Sequence, residues 1–216
     1  VVSWNGSTTW PQSTGVKTVG QQRKINEESR NILEKHNFST LRSDYTPEEL
    51  NTLLQYSGNG GVAKAGDTDI KGSRYEYYTP KTAVEALKRW LEKYAESPIN
   101  AVEDPTAGIG NMLEWFGDNV KKVMYEISPT SWTIAKLRFP DAKVWIGEKD
   151  GDFQRRYLNY QWQKAYDFPR DGSNNVDALL INPPFGRRIT VKDEPKIKGL
   201  EDYFTKRAIE HDLRFN

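Results

Sequence analysis

Apolar positions in this chain alternate between helical stripes and short continuous runs. From 22 to 35, Ile25, Ile32 and Leu33 recur at near-helical spacing. Residues 44–50 open a second helix, because Thr46 can cap it, Pro47 suits the first position, and Glu48 and Glu49 favour the positive end of the helix dipole. Leu50, Leu53 and Leu54 form its apolar face, and Gly58 is its expected stop. Thr79-Pro80 repeats the cap-and-proline start for a third helix reaching about Glu96, with Val84, Leu87, Leu91 and Tyr94 on one face. A fourth runs from 129 to 139, with Trp132, Ala135 and Leu137 as packing residues. Short apolar runs at 100–104, 122–125, 143–147 and 176–181 read as strands. The fold class is therefore α/β, with strands separated by helices.

Other stretches are less regular. Residues 1–20, rich in Ser, Thr, Gly and Gln, predict a flexible arm. Residues 21–74 form a helical extension that ends in a glycine-rich loop containing Gly58, Gly60, Gly61, Gly66 and Gly72. Residues 75–216 form the main domain. Within it, 150–175 is polar and aromatic and predicts one helix and a loop, and 200–213 has mixed helical spacing.

Composition narrows the chemistry. No cysteine is present, which excludes disulfides and thiolate metal sites, and the two histidines, His36 and His211, are too far apart in sequence to suggest a metal centre. With 31 basic and 30 acidic residues there is no global nucleic-acid footprint, so any such binding rests on local patches. No run approaches the roughly 18 apolar residues of a membrane span, and no signal-peptide pattern opens the chain. A cytoplasmic protein that does not engage a membrane is expected.

Two constellations carry candidate chemistry. The first is a strand ending in Asp104, a turn Pro105-Thr106-Ala107-Gly108-Ile109-Gly110, and a helix start at 111–116. Glycines in such a turn let backbone amides approach a ligand. The next strand ends in Glu126, 22 positions after Asp104, where a carboxylate can accept both hydrogens of a ribose diol. A dinucleotide fits poorly: Leu113 stands where a third glycine is wanted, and Asp104 would repel a pyrophosphate. An acid there suits a cationic ligand, and S-adenosylmethionine offers a ribose diol, an amino-acid tail and a sulfonium without any phosphate.

The second constellation is Asn182-Pro183-Pro184-Phe185 at the end of the last strand. The prolines remove competing donors. Asn182 Oδ1 and the Pro183 carbonyl can accept both hydrogens of a planar amino group, while Phe185 offers a face for a flat ring. Such a site suits an aromatic amine. The loop after it, 187–198, holds five basic and two acidic residues and suits a phosphate backbone.

Taken in order, Tyr77-Tyr78-Thr79-Pro80, the 104–110 turn, Glu126 and Asn182-Pro183-Pro184-Phe185 resemble the motifs of the amino-methyltransferases that act on DNA adenine. Across 45–202, including 53–61, the chain resembles more narrowly the methylase part of methylase/helicase fusion proteins of phages and mobile elements, a context that touches restriction-modification. The resemblance implies a Rossmann-like methyltransferase fold with S-adenosylmethionine as cofactor and DNA as partner. Thr79 and Asp104 would hold the methionine part, Gly108 and Gly110 would form the floor, and Glu126 would take the ribose hydroxyls. Tyr78, Pro105 and Ile127 flank these positions. Glu148 or Asp152 would meet the cofactor adenine. Asn182, Pro183, Pro184 and Phe185 would bind a flipped-out base and its amine.

The family's fold continues with further strands and a target-recognition region, whereas 31 residues follow Phe185 here. An incomplete sheet, completed by a further polypeptide region, is the expectation. Related motifs also serve RNA adenines and the amide of protein glutamine, and a catalytically silent binding module or a nicotinamide oxidoreductase are the readings from other classes.

Overall fold

The computed structural model describes residues 17–58, 78–95, 97–126, 128–146, 176–183, 199, 201–202 and 205–206. Four parallel strands form its sheet: β1 (Ala101–Asp104), β2 (Lys121–Glu126), β3 (Lys143–Ile146) and β4 (Ala178–Leu179), in the order β3-β2-β1-β4. The chain thus moves outward from β1 through β2 to β3, then crosses back to the other side of β1. That reversal makes the carboxyl ends of β1 and β4 a topological switch point, the crevice where open α/β sheets bind ligands. The expected Rossmann-like α/β architecture is what these strands form.

β4 is shorter than the six-residue run at 176–181, and side-chain chemistry helps fix its register. The Asp177 carboxylate accepts from the backbone amides of Asn100 (2.8 Å) and Ala101 (2.9 Å), while the Asp177 amide donates to Ala101 O (2.9 Å). The Leu180 amide donates to Glu103 O at 2.9 Å, which completes the pairing. Asn182 therefore leaves the sheet beside the end of β1.

Paired residues of parallel strands point to the same face. Val102, Met124 and Ala178 share one face and form a core with Val84, Leu113, Phe116, Ala135 and Phe139. A second core joins Ile32, Leu33, Leu50, Leu53 and Tyr56 to Ile109, Ile134 and Leu137. α4 (Pro129–Arg138) contributes to both. It lies between the sheet and an outer layer made of α1 (Val19–Lys35) and α2 (Pro47–Leu53).

α1 begins three residues before the helix predicted at 22. Thr18 and Gln21 form a reciprocal capping box, the Gln21 amide donating to Thr18 Oγ1 (3.2 Å) and the Thr18 amide to Gln21 Oε1 (2.8 Å). Residues 18–20 thus belong to the helix rather than to the arm. α2 has the same device in Thr46 and Glu49 (3.2 and 2.9 Å), which bears out the start predicted there. It stops at Leu53 instead of Gly58, as the chain turns to bury Tyr56.

α3 (Lys81–Tyr94) buries Val84 and half-buries Leu91, but Leu87 and Tyr94, expected on the packed face, are exposed together with Trp90. Its N-cap is Pro80, without a side-chain hydrogen bond, so Thr79 is not the cap that the sequence suggests. The helix expected at 111–116 is a single 3-10 turn, Asn111–Leu113. Gly110 precedes it in a left-handed conformation, and the stacked Trp115 and Phe116 follow it into the core.

Candidate functional site

Asp104, the last residue of β1, is almost completely buried. Its Oδ1 accepts from the Thr106 amide (2.9 Å) and weakly from Thr106 Oγ1 (3.4 Å). Among the described residues Oδ2 has no hydrogen-bond partner. Burial pushes the carboxyl up to about 7, the Thr106 amide opposes that shift, and the Glu126 charge adds to it. An orphaned buried carboxylate oxygen at a strand's carboxyl end is a place for a donor, best of all a cationic one.

Glu126 ends β2, two residues beyond Met124, the register partner of Asp104. Both of its oxygens are engaged by backbone: Gly108 N donates to Oε2 and Ser128 N to Oε1, each at 2.7 Å. These two backbone donors orient the carboxylate. The side chain is partly buried.

The glycines work differently from the sequence reading. Gly108 and Gly110 have φ of 56° and 80°, and side chains are strained there. A Cβ on Gly108 would lie 2.7 Å from Tyr78 Cε1, and one on Gly110 would lie 2.6 Å from Phe139 Cε2. The protein's own rings occupy the space that the glycines open, and the Gly108 amide is committed to Glu126. The turn is locked to β2 as well, by the Ala107 amide on Tyr125 O at 3.0 Å.

Tyr78 and Thr79 reach the same crevice from the segment before α3. The Tyr78 hydroxyl hydrogen-bonds Ser131 Oγ on α4. Thr79 Oγ1 accepts from Asn182 Nδ2 at 3.1 Å, which ties the segment before α3 to the end of β4 across 103 residues of sequence. The Thr79 carbonyl accepts from Asn111 Nδ2 (3.4 Å). Arg138 donates to Asn111 Oδ1 (2.9 Å) and Ile109 O (3.1 Å), and pairs with Glu114 at 3.0 Å. Burial lowers the Arg138 guanidinium to about 9 against the opposing pull of Glu114.

The structure therefore brings Tyr78, Thr79, Asp104, Gly108, Glu126 and Asn182 to one edge of the sheet. Pro105 is buried in the turn, Gly110 stands behind it against Phe139, and Pro183 follows Asn182 and is buried. Ile127, Glu148, Asp152, Pro184, Phe185, His211 and the basic loop 187–198 lie outside the described residues. Asn111, Ser131 and Arg138 were not legible as site residues. Ser131 and Arg138 are set apart by burial and Asn111 by its contacts with Thr79 and Arg138, none of which shows in the local sequence. Among the described residues no group of three or more His, Asp or Glu could hold a metal ion, and no helix is long and apolar enough to cross a membrane.

No protein-family model matches the chain. Over 175 residues, 81% of its length, the chain is 27% identical to the defense against restriction protein B of Escherichia phage P1, and it spans only 7% of that protein. Among solved structures it is similar to the methyltransferase subunit of a type I restriction-modification system from Streptococcus thermophilus, with 15% identity, 90% of this chain and 48% of that one covered, and a TM-score of 0.46. It is also similar to a Listeria monocytogenes protein assigned to the class I S-adenosylmethionine-dependent methyltransferases, with 13% identity, 88% and 62% covered, and a TM-score of 0.47. Both scores lie below 0.5, and the topology above rests on strand register alone.

Proposed function

We propose that the chain is the catalytic module of an S-adenosylmethionine-dependent methyltransferase acting on the exocyclic 6-amino group of adenine in DNA. The observation that carries this reading is the Asn182–Thr79 hydrogen bond. It joins an amine-accepting strand end to a crevice whose walls present one orphaned and one pre-oriented carboxylate.

The donor set fits the cofactor. Asp104 Oδ2 suits an ammonium group, Glu126 suits the two ribose hydroxyls, and neither suits a phosphate. The cofactor supplies an electrophilic methyl group on a sulfonium. The chain's contribution is to hold the acceptor. Asn182 Oδ1 and the Pro183 carbonyl accept the two hydrogens of the target amine, whose lone pair is otherwise delocalised into the ring. That draws the nitrogen toward tetrahedral geometry and aims the pair, so orientation and electrostatics supply the catalysis. A strong base is not needed before transfer, because the nitrogen becomes acidic only once it is alkylated.

DNA is preferred over RNA or protein as acceptor for two reasons. The chain's relative in phage P1 is named for defense against restriction, and the loop after Asn182 is basic. A flipped adenine would stack on Phe185. β4 is the last strand of the described sheet beyond β1, which is where a further polypeptide region would add strands. Methyl transfer from labelled cofactor to an adenine-containing duplex, to the matching RNA and to a glutamine-containing peptide tests the acceptor. Label in DNA N6-methyladenine is expected. Label confined to RNA or peptide would replace the acceptor, and a nicotinamide cofactor binding in place of S-adenosylmethionine would replace the reaction.

A further inference from the structure

An asparagine that must accept from an amine has a weakness. Its side-chain oxygen and nitrogen are close to isosteric, and a half-turn of the amide would present donors to a donor. The backbone of Asn182 is constrained because it precedes Pro183, but that does not fix the amide. Something else must.

We infer that Thr79 is the positioning residue that holds the Asn182 amide with Oδ1 turned to the acceptor amine, and that its hydroxyl couples cofactor occupancy to acceptor geometry. The Asn182 Nδ2 group donates to Thr79 Oγ1 at 3.1 Å, so Oδ1 faces away from Thr79. Thr79 is itself held by a chain whose polarity has only one solution. Arg138 is a donor only, so Asn111 must show it Oδ1, at 2.9 Å, and must therefore turn Nδ2 to the Thr79 carbonyl, at 3.4 Å. Arg138 is in turn fixed by Glu114 and by the Ile109 carbonyl. Glycine turn and α4 thus converge on the Thr79 carbonyl and hold the backbone that carries its hydroxyl.

That hydroxyl accepts from Asn182 and keeps its own proton for another acceptor. This step rests on the cofactor reading above: if the proton goes to the anionic end of a bound amino-acid tail, the oxygen is left as an acceptor only, and the Asn182 amide is locked in the productive sense. Without that anion the hydroxyl can rotate and accept or donate, so the lock is looser. Cofactor binding and acceptor orientation then reinforce one another.

Thr79→Val removes the hydroxyl at nearly constant shape, and Thr79→Ser restores it. The first readout needs no activity: solvent exchange of the Asn182 side-chain amide protons, followed by NMR in the full chain without cofactor. Exchange is expected to be about fivefold faster in Thr79→Val, the ratio for one ordinary hydrogen bond of ~1 kcal/mol, and near wild type in Thr79→Ser. Exchange unchanged in Thr79→Val overturns the positioning role. Addition of S-adenosylhomocysteine, which carries the same amino-acid tail, should slow the exchange in the wild type and not in Thr79→Val; equal slowing in both overturns the coupling. At saturating cofactor, kcat should fall about tenfold in Thr79→Val and recover in Thr79→Ser, and a rise in cofactor KM with kcat unchanged would make Thr79 a cofactor contact alone. Should Thr79→Val unfold, Thr79→Ala takes its place with the same expectations. A wild-type chain that methylates no acceptor would sink the proposed function, while the exchange readout would still decide the Thr79–Asn182 link.

Discussion

The helix starts of the outer layer and the strand ends of the crevice use their polar groups differently. In the layer of α1 and α2 the helix starts are closed by reciprocal boxes, Thr18 with Gln21 and Thr46 with Glu49, and Glu49 also binds Lys35 (2.8 Å) and His36 (3.1 Å) from the end of α1. Glu49 is held down to about 2 chiefly by Lys35 and the Thr46 amide. At the strand ends longer reaches are added to local bonds such as Thr106 to Asp104 and Ser128 to Glu126. Thr79 precedes a proline start yet leaves α3 without a side-chain cap and bonds Asn182 instead. Asp104 keeps an oxygen unpartnered among the described residues, and Gly108 gives its amide to a carboxylate 18 residues on. Reciprocal caps fix the helix starts, whereas the end of β1 leaves a buried carboxylate oxygen without a partner among the described residues.

The sharpest way to break this comparison is at Asn182. Asn182→Ala should lower kcat for methyl transfer by about a thousandfold, at the upper end of the loss seen on deleting a preorganised polar group, while leaving cofactor affinity within a few-fold. Collapse of cofactor binding in titrations would mean that the crevice is one structural unit and that the roles assigned to its two halves are wrong.

Gly108→Ala comes next. The positive φ and the Tyr78 ring 2.7 Å from the new Cβ should together cost about 2 kcal/mol in urea unfolding. A neutral substitution would show that Tyr78 can swing away without loss. Such an outcome would separate the glycine's packing role from its conformational one.

pH provides a gentler test. Above its raised value of about 7, Asp104 is charged and fit to receive an ammonium group; below it the carboxyl is neutral. Cofactor affinity should therefore rise between pH 6 and pH 8, by somewhat under tenfold over about that interval, and the dependence should vanish in Asp104→Asn. The stability consequence has the opposite sign. Because the folded value is raised above the ordinary 3.8, ionisation of Asp104 weakens the fold progressively as pH rises from about 4 to about 7. Bound cofactor should reverse that trend.

The smallest effect belongs to the outer layer. Thr46→Ala removes a helix cap and should cost about 1 kcal/mol without changing cofactor affinity. A measurable change in affinity would mean that the layer reaches the site, and the route is visible: the Arg42 guanidinium donates to Leu137 O and, at 2.7 Å, to Arg138 O at the end of α4.

The same division explains what was legible in the sequence. Capping boxes, proline starts and apolar runs are local, and the strands ending at Asp104 and Glu126 and the start of α2 were readable from them. Of the motif residues, Thr79, Asp104, Glu126 and Asn182 stand near the carboxyl ends of the strands, and the roles given to them are proposals. Three things were not. The helix expected at 111 is only one 3-10 turn, since Gly110 in a left-handed conformation and the stacked Trp115 and Phe116 redirect the chain. Thr79 looked like a cap because the competing partner lies 103 residues away. Arg138 looked like an ordinary basic residue at a helix end, whereas tertiary packing buries it beneath the glycine turn. The last two are long-range contacts overriding a local preference, and the first is a local backbone conformation that residue types alone do not announce.

Calorimetric titration of the full chain with S-adenosylmethionine, set beside NAD and repeated with Glu126→Ala, tests the central claim most directly. The account predicts saturable 1:1 binding of S-adenosylmethionine, none of NAD, and loss of binding in the Glu126→Ala chain while it remains folded. Binding of NAD, or S-adenosylmethionine affinity unchanged by Glu126→Ala, would contradict it.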